Sequence, residues 1–188
     1  TLGAPSHSLG ETETLVVYTV ALLLAGDLSV YLVHRAMHQI PVLWRFHKIH
    51  HSATTLTPFT LLRVHPVELL VNNGRSILMA GLVTGMVSYF TAHRIDVVTF
   101  LGVNMASFLF FTLGANLRHS QIPLAYWSPV ERILSSPRQH QIHHSNDPAH
   151  HDRNFGSKFA LWDWIGGSLV LSKDTKELTY GLGSQESK

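Results

Sequence analysis

The sequence predicts an all-α integral membrane protein with about three spans and a histidine-rich helical cap, and three observations predict it. Only 14% of the 188 residues are charged while 45% are hydrophobic, against roughly 25% charged in an ordinary soluble domain. Three apolar runs approach the ~20 residues that a helix needs to cross a bilayer. Fourteen histidines outnumber the twelve aspartates and glutamates, and all but His7 and His93 fall in the two polar blocks that follow the first and third runs.

The length sets one domain, read over residues 1–188. The chain opens on Thr1 rather than Met, as a trimmed or processed chain would. Residues 1–14 are polar, carry Glu11 and Glu13, show no signal-peptide pattern and are expected to be a tail. Residues 15–33, LVVYTVALLLAGDLSVYLV, form the first expected span, interrupted chemically only by Asp27. The second, ILMAGLVTGMVSYFTA, extends back to give a helix over 69–92, and the third covers 96–115. Together they read as a helical hairpin turning at His93, Arg94 and Ile95.

The blocks 34–68 and 116–188 are expected to form the cap, and local signals start helices within them. Pro66 and Glu68 suit a first helical turn, Ser128-Pro129-Val130-Glu131 has a capping-box pattern with Ser128 as N-cap, and Ser136-Pro137 offers another start. A short helix is expected near Phe159 to Trp164. Arg35, Arg45, Lys48 and Arg63 follow the first span, and Arg118, Arg132, Arg138, Arg153 and Lys158 follow the third, whereas Arg94 stands alone in the hairpin turn. The positive-inside rule therefore puts both blocks in the cytoplasm, where they can meet. The membrane would be a bacterial inner membrane or the endoplasmic reticulum.

Composition removes several classes of function. No cysteine is present, which excludes disulfides, thiolate zinc sites, iron–sulfur clusters and cysteine nucleophiles. A net charge of +2 is too small to point to nucleic acid. What remains is imidazole chemistry. HRAMH puts His34 and His38 one turn apart on one helical face, and Asp27 and Tyr31 share that face. HKIHH supplies His47, His50 and His51, HQIHH supplies His140, His143 and His144, and His119 follows the third span. Each HxxHH triplet presents three imidazoles to one side. Nine imidazoles clustered without a metal would leave unsatisfied nitrogens or repelling cations. They also exceed the three or four ligands of one ion, so two metals are expected.

The series D-x3-Y-x2-H-x3-H, HxxHH-S, R-x-HP-x-E at Arg63 to Glu68, NLRHS, SP-x-x-HQIHHS and NFGS-x-x-x-LWDW resembles the fatty acid hydroxylase and sterol desaturase superfamily over about residues 24–167. The resemblance implies ligand roles for the nine histidines, two iron ions (replaceable by zinc), dioxygen, and reducing equivalents from a separate reductase or other electron donor. It implies hydroxylation or desaturation of a sterol, fatty acyl or related lipid entering from the bilayer. In one departure, Gly114, Ala115 and Asn116 stand where many relatives carry a further histidine, leaving an additional ligand to His65, Asn116 or water. Asp27 and Tyr31 are expected to support the ligands from behind, Asp27 through a hydrogen bond to a ligand imidazole or a simpler polar contact.

Other histidines are expected elsewhere: His150 and His151 at the surface or behind the ligands, His7 and His93 in solvent. Trp44, Trp127, Trp162 and Trp164 suit interface anchoring or cap packing. Two other classes fit a histidine-rich membrane chain: a metal transporter or binding protein, and a di-zinc lipid hydrolase. Transport calls for ionisable residues along several spans, whereas these histidines gather at helix ends. Imidazole serves zinc and iron alike.

Overall fold

The computed structural model describes residues 9–175 and 177–187; His7 lies outside them. The first helix, α1 (Glu11–Gln39), begins inside the expected tail, because the Glu13 carboxylate accepts from the Gly10 N–H at 2.9 Å and closes the first turn. It ends at Ile40, which precedes Pro41 and is extended (φ −99°, ψ 114°) as the residue before proline must be. Pro41 then opens α2 (Pro41–His51), which carries the first histidine triplet.

Two helices cover the stretch of the expected hairpin, α3 (Pro66–Thr91) and α4 (Val97–Arg118). His65 caps α3, its Nδ1 accepting from the Val67 N–H at 3.1 Å, and Ala92 ends it in the left-handed region at φ 57°. The cap contributes α5 (Ser128–Glu131), α6 (Pro137–His143) and α7 (Leu161–Ile165). Among the described residues strand pairing is limited to two isolated bridges, Leu134 with Phe159 and Ser145 with Tyr180. The chain is all-helical, as expected.

One expected cap differs. Trp127, not Ser128, precedes the first turn of α5, and the Glu131 carboxylate accepts from the Tyr126 N–H at 3.2 Å, Ser136 Oγ at 2.6 Å and the Ser172 N–H at 2.9 Å instead of from residue 128. The start at Ser136 holds: its Oγ accepts from the Gln139 N–H at 3.2 Å, and Gln139 Oε1 accepts from the Ser136 N–H at 2.9 Å.

Packing is led by α1 against α3. Tyr18, Val83 and Val87 are buried at its centre, with Leu22, Met79 and Phe100 around them. On their other sides these helices turn Val20, Leu24, Ile77, Leu82, Met86 and Phe90 outward. Among the described residues one helix, Glu11–Gln39, is long and apolar enough to cross a membrane. The cap is tied to it by Asp27, which is fully buried. Its carboxylate accepts from the Lys158 N–H at 2.9 Å, the Phe159 N–H at 3.0 Å and Trp162 Nε1–H at 3.1 Å.

We predict that Asp27→Asn, which turns one acceptor into an N–H donor facing other N–H donors, will destabilise the chain by about 1–3 kcal/mol. The check is a lower thermal midpoint in detergent with earlier proteolysis near Lys158. An unchanged midpoint would show that these three bonds contribute little.

Candidate metal centre

The nine histidines converge from four places in the chain. His34 and His38 project from the last turns of α1, and His47, His50 and His51 from α2. His119 follows α4 directly; His140 and His143 lie on α6, and His144 caps its end. They divide into two buried groups: His34, His38, His47, His51 and His143, then His50, His119, His140 and His144. Within each group the candidate ligand atoms all lie within 4.8 Å of one another.

Each HxxHH triplet is split between the groups instead of facing one side. At about 100° per residue, His47 and His51 diverge by only about 40°, whereas His50 stands about 100° from His51. The i,i+4 pair thus serves one group and the remaining histidine the other. In α6 the allocation is reversed: His140 and His144 join His50, while His143 joins His47 and His51. The groups adjoin where His51 and His144 stack with ring centroids 4.4 Å apart.

Partners behind the rings fix which nitrogen faces inward. Nδ1–H of His34 donates to the Phe155 carbonyl at 2.8 Å and that of His143 to the Arg153 carbonyl at 2.8 Å. A carbonyl has no proton to give, so these rings present a lone pair at Nε2. His47 Nδ1 is 2.9 Å from Glu68 Oε1, a carboxylate that orients the ring in the same sense. Nε2 of His47, His51 and His143 is buried with no hydrogen-bond partner.

In the second group Nε2 atoms face one another: His50 to His119 at 3.2 Å, His119 to His140 at 3.0 Å, and His140 to His144 at 3.2 Å. Four nitrogens around an ion at ~2.1 Å would form a tetrahedron of edge roughly 3.4 Å. The spacing fits an ion, and so do the orphaned nitrogens of the first group. Burial, and secondarily neighbouring imidazoles, hold His50, His51, His140, His143 and His144 well below the ordinary 6.5. They are therefore neutral at pH 7, the form that ligates metal.

Other expected residues are placed elsewhere. His65 lies outside both groups, capping α3 with its ring against Phe46 at 4.8 Å. Asn116 is exposed on α4. Asp27 binds the 158–162 segment, with no imidazole among those partners, and Tyr31 accepts from Arg35 at 2.7 Å. His93 Nε2 is 2.6 Å from the Leu9 carbonyl, and His150 Nδ1 is 3.1 Å from Ser145 Oγ. Trp44 is fully buried against the His38 and His51 rings, whereas Trp127 and Trp164 are exposed.

Glu68 and Asp163 contribute what the sequence reading did not assign. Asp163 Oδ1 accepts from the Phe155 N–H at 2.8 Å and Oδ2 from the Gly156 N–H at 2.6 Å, which fixes the carbonyl behind His34. The HP-x-E and LWDW spacings carried both residues, yet neither spacing says what the carboxylate faces.

A cavity of about 370 Å³ reaches both groups, touching His34, His47, His50, His119 and His140 and continuing past Val30 and Leu69 between α1 and α3. A larger one, about 760 Å³, is apolar and touches no histidine.

Fold and site define an all-helical chain with two adjoining, buried, all-imidazole groups suited to metal. The chain belongs to the fatty acid hydroxylase family, whose model matches residues 19–168. It is similar to the ornithine lipid hydroxylase of Rhizobium tropici, 27% identical over 87% of this chain and 45% of that protein. It is also similar to the alkylglycerol monooxygenase of Caenorhabditis elegans, 27% identical over 85% of this chain and 28% of that protein. The lathosterol oxidase of Homo sapiens is 26% identical over 92% of this chain and 54% of that protein. The chain thus spans about half or less of the length of these relatives. No solved structure matches it.

We predict that the metal-free protein loses stability as the pH falls below about 6.5. The unfolded chain takes up protons there while the buried rings do not, which costs up to about 1.4 kcal/mol per pH unit for each such histidine. Thermal midpoints of metal-free protein between pH 8 and 5 should fall steeply; a flat profile would show that the rings titrate normally.

Proposed function

We propose that the chain is the metal-binding core of an oxidoreductase that hydroxylates or desaturates an unactivated C–H bond of a membrane lipid. The two all-imidazole groups carry this reading, supported by family membership and by relatives named as a lipid hydroxylase, a monooxygenase and an oxidase. His34, His38, His47, His51 and His143 hold one iron and His50, His119, His140 and His144 the other. Two such ions supply the redox chemistry that activates dioxygen, which protein side chains alone do not. Hydroxylation consumes one O2, two electrons and two protons, leaving one oxygen atom in a new C–OH and the other in water. Desaturation with the same inputs removes two hydrogens and leaves two waters.

The chain's own contribution is placement. Glu68 and the Phe155 and Arg153 carbonyls keep the rings of His47, His34 and His143 turned inward. Phe155 is buried against His34, His38 and His143 and helps to keep water out of the cavity. Val30 and Leu69 form an apolar approach for lipid. Electrons come from a separate reductase or electron-transfer protein. The topology completing this reading is three spans, with α3 and α4 crossing beside α1 and the histidine cap facing the cytoplasm. A metal transporter is less well supported, because the histidines form two closed sets at helix ends instead of a file along several helices.

We predict two metal ions per chain, and loss of metal together with oxygen-dependent lipid product in His34→Ala, His50→Ala and His144→Ala. His93→Ala should change neither. Glu68→Gln leaves every imidazole in place but weakens the hold on His47, and should lower metal affinity or activity by 10–100-fold. Metal analysis and lipid product analysis with and without dioxygen and a reductant check this. Full occupancy and activity in both His34→Ala and His144→Ala would refute it, and metal flux across vesicles without lipid oxidation would favour transport.

A further inference from the structure

Three cavities lie in series and share walls. The one at the histidines shares Val30, Arg75 and Ser157 with a neighbour of about 290 Å³. That neighbour shares Lys158 with the apolar cavity of about 760 Å³, which runs along Leu15, Leu23 and Val98.

The middle cavity is where positive charge gathers. Arg75 Nη1 donates to Ser29 Oγ at 2.8 Å and to the Gly26 carbonyl at 3.4 Å, while its Nε is buried with no partner. Among the described residues no carboxylate lies within 4.0 Å of this guanidinium. Lys158 Nζ stands 4.0 Å from Asp27, beyond hydrogen-bond reach, and the Asp27 oxygens already accept three N–H groups. One saturated carboxylate is thus set beside two cations lining one cavity. Cations drawn out of water without matching anions are costly, and a guanidinium fork suits a carboxylate or phosphate.

The level of this cavity matters as well. From Thr14 to Gly26 on α1 and from Ser76 to Thr91 on α3 there is no Lys, Arg, Asp or Glu. Asp27 and Arg75 therefore mark the edge of the uncharged length of both helices, where a lipid's polar group meets its chain.

We propose that the middle cavity receives the anionic group, a carboxylate or a phosphate, of a membrane lipid, with Arg75 and Lys158 as its partners and the acyl chain in the apolar cavity beyond. This names the substrate class for the lipid oxidation proposed above and rests on that reading. The histidines adjoin the same cavity on its other side, so the anion sets the carbons next to it, and not the far end of the acyl chain, nearest to them.

The test is binding, independent of turnover. The full chain, purified in a neutral detergent, is titrated with oleate, oleyl alcohol, phosphatidic acid and diacylglycerol, with bound lipid counted by native mass spectrometry. Oleate or phosphatidic acid should bind about tenfold or more tightly than its uncharged counterpart. Preference for oleate alone identifies a carboxylate ligand and for phosphatidic acid alone a phosphate. Arg75→Gln should abolish the preference, Lys158→Gln should weaken it, and Arg75→Lys should retain most of it. Equal binding of charged and uncharged lipids overturns the proposal, as does an unchanged preference in both glutamine variants. His144→Ala should keep the preference while losing metal. A charge preference in a protein that oxidises no lipid would leave this site standing and the proposed oxidation refuted.

Discussion

Nine imidazoles gathered in the interior of the protein can stay there only if they are uncharged and turned so that their lone pairs converge. Burial secures the first condition, since a protonated ring at these positions would be desolvated beside its neighbours. The second needs partners behind the rings, and much of the cap exists to supply them. Phe155 and Arg153 offer carbonyls, and the segment carrying them is held by Asp163 and by Asn154. Asn154 sits at φ 53° and bonds the Gln139 and Val170 carbonyls at 3.1 and 3.0 Å. A chain segment with no regular structure is thus held in place by side-chain bonds from Asn154 and Asp163.

The exchange between the two triplets shows how a short motif builds a paired site. If all three histidines of HxxHH faced one point, the groups would draw on unrelated parts of the chain and nothing would fix their separation. Because α2 and α6 each contribute to both, the distance between groups is set by the width of a helix face. Displacing either helix disturbs both sets of donors together.

Much of this was legible beforehand, for a physical reason: helical periodicity and imidazole spacing are local properties. The two helices of the expected hairpin, the helix starting at Ser136 and the His-x3-His and HxxHH spacings follow from residues within a few turns of one another, whereas the set of nine, drawn from positions 34 to 144, rests on the family resemblance. The split of each HxxHH triplet follows from that same local geometry, against the expectation of one shared side; what else failed to show depends on contacts across the chain. Asp27 is on the His34 face by periodicity, yet it turns to the backbone of residues 158 and 159, some 130 positions away. Glu68 lies in a motif whose spacing explains a helix start as readily as a hydrogen bond to His47. The middle cavity was unreadable too, because Arg75 and Lys158 meet only once α3 and the cap have closed on α1.

That long-range closure bears on the order in which the protein is made. Four of the five donors of the first group lie within residues 34–51 and emerge from the ribosome together, whereas the second group then has only His50. Its other donors arrive after both hairpin helices, and the Asp27 tie waits for residue 162. The site is therefore finished only after both of these helices have been made, and until then about half of it is an open set of histidines on a nascent chain.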